Sequence, residues 1–248
     1  MPRNSFAEKG TGSIEALLKS CSTLLYSGQK ENPIDLVAIT HAAEHSMERL
    51  LENAKVMEGK IGKKAEYSAL IMGKYEQGIF ILEEYFFPQN IEYVPSESLL
   101  ERERFYNENP EYTCDVDCIS SRGIVELTNA FQFKAIGYAK KKGMEVLGFD
   151  HTHPDHLIPS YADFAATKGI TNTANASLFI VHKDDAPASI YQAYFMHNIL
   201  MNALENRTED LFPSERSAYV RRCIKPSNKV SSPERIRNII CNYFGGCE

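Results

Sequence analysis

The spacing of apolar positions changes several times along the chain, and each change predicts an element. After Pro33, Leu36, Ala43, Met47, Leu50, Leu51, Ala54 and Met57 fall on one side of a helical wheel, with His41, His45, Glu48 and Glu52 on the other. That spacing predicts one long amphipathic helix. Ahead of it, residues 1–32 read as a leader with a short amphipathic stretch, Ser13 to Leu25, and a polar run, Ser27–Asn32. Beyond it, Tyr67–Lys74 and Ile79–Phe87 are rich in aliphatic and aromatic residues and flank Tyr75-Glu-Gln-Gly78, a turn signal, so a β-hairpin is expected. Residues 88–120 are polar and irregular, with Pro88, Pro95 and Pro110. They read as a long excursion from the core, which in a compact domain is more often functional than incidental.

Helical spacing returns from Gly123 to Lys142 through Ile124, Leu127, Phe131, Ala135 and Ala139, closing on lysines and Gly143. Met144–Phe149 reads as a buried strand, Ser160–Lys168 as a short helix, and Ala176–His182 and Ser189–Phe195 as further strands. The tail from about residue 198 reads as mostly helical, with Ser232-Pro233 capping its last helix. Helix, hairpin, helix, strand, short helix and two strands predict an α/β domain with a mixed sheet flanked by helices. The expected boundaries are a leader at 1–32, a core domain at 33–197 with 88–120 inserted, and a helical C-terminal extension at 198–248.

Composition narrows the function classes. A formal net charge of −6 argues against broad nucleic-acid binding, and no apolar run is long enough for a membrane helix. The first twenty residues lack an apolar h-region, so no secretory signal is expected. Six cysteines are too sparse for a disulfide scaffold, and Cys114-x3-Cys118 and Cys241-x5-Cys247 lack the spacing of a structural zinc site. Reduced thiols in a cytoplasmic protein are the expectation.

The densest chemistry is Gly148-Phe-Asp-His151-Thr-His153-Pro154. Histidines at i and i+2 on a strand project to the same side, and Asp163, in the first turn of the following helix, could supply a third ligand. Two histidines, a carboxylate and a water make the open zinc site that hydrolases use. Each part alone has an ordinary explanation. Strand-end histidines are usually surface polar residues, and Ser160-x-x-Asp163 is also a capping box.

The joint pattern resembles the JAMM, or MPN-plus, zinc metalloproteases, whose signature is a glutamate, then HxHP, then SxxD. Glu66-Tyr-Ser-Ala-Leu-Ile-Met-Gly73 is similar to the family's glutamate and hydrophobic strand, and Val146-Leu-Gly-Phe-Asp150 to its approach to the histidines. The resemblance spans roughly residues 34–197. It implies a cytidine-deaminase-like mixed sheet, with Zn2+ held by His151, His153 and Asp163. It implies Glu66 as general base and then acid, and Ser160 as hydrogen-bond donor to the oxyanion. It also implies cleavage of an isopeptide or peptide bond, with a ubiquitin-like protein or its conjugate as substrate. Neither nucleic acid nor membrane is expected as a partner, and a homo-oligomer or a place in a larger complex is compatible with it.

Two departures stand out. The loop Asp155-His-Leu-Ile-Pro159 is shorter than the family's usual one and brings His156 near as a rival ligand, and residues 88–120 match no familiar insertion. Two other functions stay open: a non-catalytic scaffold of the same fold, and a zinc peptidase acting on short peptides or small amides. His41-Ala-Ala-Glu44-His45 also satisfies the inverted zincin motif HxxEH, although a solvated helix face opposite the apolar stripe explains it better.

Overall fold

Leu36-Val-Ala-Ile-Thr40 is buried at every position, as a strand covered on both faces must be. In the computed structural model it is strand β2 (Leu36–Thr40), and the long helix α2 begins only at His41 and runs to Ile61. The expected helix therefore loses its first turn to the sheet. Thr40 marks the change: its side-chain oxygen accepts a hydrogen bond from the Ala43 amide, and Gly62, at φ +67°, ends the helix. The structure describes residues 11–26, 36–76, 78–93, 108, 116–121, 125–157, 163, 170, 172–174, 176–197 and 228–244.

The remaining elements are α1 (Thr11–Ser20), β1 (Cys21–Tyr26), β3 (Ser68–Glu76), β4 (Ile79–Phe86), β5 (Ile91–Tyr93), β6 (Cys118–Ser120), β7 (Val125–Leu127), α3 (Asn129–Lys141), β8 (Glu145–His153), β9 (Ala176–Lys183), β10 (Tyr191–His197), β11 (Asn228–Val230) and α4 (Pro233–Phe244). Eight strands form one mixed sheet in the order β10-β9-β8-β3-β4-β2-β1-β11. The fold is thus mixed α/β with helices packed on the sheet, and the predicted hairpin is β3 and β4. The amphipathic stretch expected at 13–25 divides into α1 and β1, and both β1 and β11, from the leader and the tail, extend the same sheet. The helix expected from Gly123 starts at Asn129, capped by Thr128, because Val125–Leu127 pairs with β6 instead. Together β5, β6 and β7 make a small second sheet within and beside the excursion. Cys21 and Cys118 are free and buried, but Cys241 is disulfide-bonded, contrary to the expected reduced set. Among the described residues no helix is long and apolar enough to cross a membrane.

Alternation along the strands separates the cores. Ala69, Ile71, Leu147, Leu178 and Ile180 pack with α2 residues Met47, Leu50 and Ala54. Their neighbours Leu70, Met72, Val146, Phe149, Phe179 and Val181 pack with Phe131, Ala135 and Ala139 of α3. A third cluster joins Leu17, Leu24, Leu36, Val230, Ile236 and Ile240, tying α1 and α4 to the far edge. Strand β8 lies close against parallel β9: a Cβ at Gly148 would sit 1.7 Å from the Leu178 carbonyl oxygen.

The same alternation sends Asp150 to the α2 side, where burial is complete. Its Oδ2 accepts from Tyr85 OH at 2.8 Å and pairs with His182 Nε2 at 3.0 Å, and neither Asp150 nor His182 is exposed to solvent. Taking one member from such a pair leaves a buried polar group uncompensated. His182→Ala should therefore lower unfolding free energy by about 3 kcal/mol, read as a reduced urea midpoint at unchanged slope. A midpoint within error of wild type would show that Asp150 needs no partner there.

Candidate metal centre

Strand β8 continues through His153, so both histidines are strand residues with their side chains on the α3 side, together with Phe149. Antiparallel β3 pairs with it so that Ser68 faces His151. The pairing extends past the end of β3: Tyr67 N donates to Thr152 Oγ1 (3.0 Å) and Thr152 N donates to Tyr67 O (2.9 Å). One further step in that register sets Glu66 across from His153, on the histidines' face. The returning excursion holds Glu66 from the other side. Glu66 N donates to Ser121 O at 2.8 Å, and Ser120 Oγ donates to Glu66 O. Asp117 anchors that return by accepting from the Gln89 and Asn90 amides and pairing with Lys134 of α3 at 2.9 Å, contacts that hold its carboxyl below the usual range.

Four donors converge from these elements. Glu66, His151, His153 and helical Asp163 each offer an atom within 4.8 Å of the others. Asp163 lies 3.3 Å from His151 Nε2 and 3.5 Å from His153 Nε2, and Glu66 Oε1 lies 3.9 Å from His153 Nε2. The two Nε2 atoms are 2.7 Å apart. Burial is nearly total, with 6% exposure at Glu66, 0% at His151 and 2% at His153. His151 is further fixed by Phe179, whose ring stacks on it at 4.8 Å and 15°.

The electrostatics fit a divalent cation. Burial, above all, pushes Glu66 up to about 8, with further pressure from the Asp163 and Asp184 charges. Burial, then the Glu58 carboxyl, likewise raises Asp184 to about 7. Burial lowers His151, the nearby Asp163 opposing this, and a neutral imidazole is the form a metal needs. Two carboxylates and two imidazoles facing one another suit zinc and other first-row metals.

Every described residue expected at the site is therefore in one cluster, and Ser160 lies outside the described residues. His156 is not a member of the cluster. Its Nδ1 lies 3.0 Å from His153 Nδ1, the nitrogen turned away from the other donors. The HxxEH histidines, His41 and His45, are exposed on α2, and His45 bonds Glu48. Sequence spacing had no means of finding Phe179, Thr152, Asp184 or Lys64, whose Nζ donates to Pro154 O at 2.9 Å. All four act across strand pairs or loops distant in sequence.

No protein-family model matches the chain, and no curated protein matches it. Among solved structures it is similar to the solution structure of protein DSY2949 from Desulfitobacterium hafniense. That match has 15% identity over 66% of this chain and 86% of the other, at a TM-score of 0.38. It is also similar to the crystal structure of AF2198, a JAB1/MPN domain protein from Archaeoglobus fulgidus, at 16% identity over 63% and 86%, with a TM-score of 0.30. Superpositions this loose assign no family, so the site's chemistry is read from its own residues.

A raised folded-state carboxyl pKa contributes stability below the ordinary value and loses it as pH rises through the folded value. Metal-free protein should thus weaken as pH rises from about 4.5 to about 8, the span of the Glu66 shift. Metal-free Glu66→Gln should weaken less and be the more stable of the two at pH 9, compared by urea midpoint. Parallel pH profiles for the two proteins would contradict this account of Glu66.

Proposed function

We propose that the chain is a zinc-dependent hydrolase that cleaves an isopeptide or peptide bond at the C-terminus of a ubiquitin-like protein. The observation that carries the reading is the convergence of Glu66, His151, His153 and Asp163 at one buried point. His151, His153 and Asp163 would hold the ion. When bound, zinc supplies Lewis-acid polarisation of a carbonyl and makes water acidic enough to yield its proton near neutral pH. Glu66 is the group assigned to the proton in this reading. Its 3.9 Å approach to His153 is longer than either contact of Asp163, which suits a group that works beside the ligands. It accepts the proton from attacking water and returns it to the departing amine. Ser160, by the resemblance of its motif, donates a hydrogen bond to the oxyanion.

The substrate class rests on the family resemblance of Glu66, His151-Thr-His153-Pro154 and Ser160-x-x-Asp163. Residues 88–120 match no familiar insertion, so they add nothing to that choice; their return bonds the Glu66 backbone through Ser120 Oγ and, just beyond, Ser121 O.

Purified protein is expected to contain about one zinc per chain, to hydrolyse a lysine-linked conjugate of a ubiquitin-like protein, and to lose activity to a chelator and regain it with zinc. Glu66→Gln should keep the zinc and lower kcat by about 10²–10⁴-fold, whereas His151→Ala and Asp163→Asn should lose the metal. Activity surviving both chelation and Glu66→Gln would refute the mechanism. Cleavage of the free tail peptide but not the folded conjugate would move the substrate to short peptides. Bound zinc without hydrolysis of either would favour a scaffold.

A further inference from the structure

An imidazole binds a cation only through a nitrogen that carries no hydrogen. This inference rests on the reading of the cluster as a metal centre. His153 turns Nε2 toward Asp163 and Glu66; with a cation bound there, its ring proton resides on Nδ1. That nitrogen lies 3.0 Å from Nδ1 of His156, and the two rings meet edge-on at 87°. At this separation one nitrogen donates and the other accepts. With the proton on His153 Nδ1, His156 accepts at Nδ1 and carries its own proton on Nε2.

We propose that His156 is a positioning residue, which holds His153 in the tautomer and orientation that present Nε2 to the metal without itself binding the metal. A metal-ligating histidine normally gives its outer N–H to such an acceptor, most often a carboxylate or a backbone carbonyl. Here a third histidine has that role.

The two ligands are held by different means. Among the described residues His151 Nδ1 is buried without a hydrogen-bond partner, and Phe179 stacks face to face on its ring. The described rings beside His153, those of His151 and His156, both meet it edge-on, at 73° and 87°. What holds the outer nitrogen of His153 is the contact with His156 Nδ1 at 3.0 Å. The loop that carries His156 is itself tethered, because Lys64 Nζ donates to Pro154 O at 2.9 Å. His156 is exposed and belongs to none of the apolar clusters, so its replacement leaves the core intact.

The test compares wild type, His156→Ala and His156→Asn as full-length protein, by competition titration with zinc and by the visible spectrum of the cobalt-loaded form. Asparagine places its amide oxygen near the position of histidine Nδ1, so it keeps the acceptor and abolishes the ring. His156→Ala should bind zinc about tenfold more weakly, at the low end for an outer-shell partner, with an altered cobalt spectrum. His156→Asn should lie within about twofold of wild type and restore that spectrum, as expected when only the acceptor matters. Thermal midpoints of the metal-free proteins should coincide. In the zinc-loaded protein, the His153 Nδ1–H resonance should be protected from exchange in wild type and His156→Asn but not in His156→Ala.

Zinc binding by His156→Ala equal to wild type overturns the inference alone. His156→Asn as weak as His156→Ala also overturns it, because an acceptor alone would then not be what His153 requires. A wild-type protein that binds no zinc overturns the metal reading and this inference with it.

Discussion

Antiparallel pairing of β3 with β8, in the register that sets Ser68 across from His151, is the contact on which the candidate metal centre depends. It carries Glu66, from the segment after α2, to the end of the strand that bears both histidines, 85 residues away by the Tyr67–Thr152 bond. Side chains alternate with a period of two, so a slip of one residue would turn Glu66 or the histidines to the opposite face. The two backbone and side-chain bonds between Tyr67 and Thr152 pin that register where ladder pairing ends. Parallel β9 supports β8 from the other side and delivers Phe179 against His151.

Strand β8 thus has two polar faces in a mostly apolar sheet. On one, His151 and His153 join the carboxylates. On the other, Asp150 binds Tyr85 and His182 beneath α2. Buried ionisable pairs of this kind add little net stability, because desolvation offsets most of the attraction. Their value lies in geometry: Asp150 links β8 to β9 through His182 and, across β3, to β4 through Tyr85. The strand that carries His151 and His153 is fixed to the strands around it by directional contacts as well as by apolar packing.

The excursion after β4 has a structural role that its composition concealed. Its return through Asp117, Ser120 and Ser121 is bonded at one end to the Gln89 and Asn90 amides and Lys134, and at the other to the Glu66 backbone. Polar residues that read as loop chemistry are buried because each satisfies a backbone group of a neighbouring segment. Glu66 is therefore held between the main sheet and this return, which places a carboxylate in an environment that disfavours its charge unless a cation is near.

Much of this was present in local pattern. The hairpin, the long helix and the histidine strand follow from periodicity, and the grouping of Glu66, His151, His153 and Asp163 follows from motif spacing read with a family resemblance. Elsewhere local pattern misled. Leu36–Ile39 continues a helical wheel by coincidence, and only the flanking β1 and β4 strands make it a strand. Val125–Leu127 likewise yields to pairing with β6. His156 looked like a rival ligand because sequence distance records nearness but not direction. Which ring nitrogen it meets, which strands Asp150 ties together and which ring supports His151 depend on contacts between segments far apart in the chain. The sequence by itself determined the kinds of donor atoms and the faces of the strands that carry them, since both are local properties of residue type and period. The tertiary structure alone decided their convergence and orientation, because strand register and burial arise only when distant segments pair.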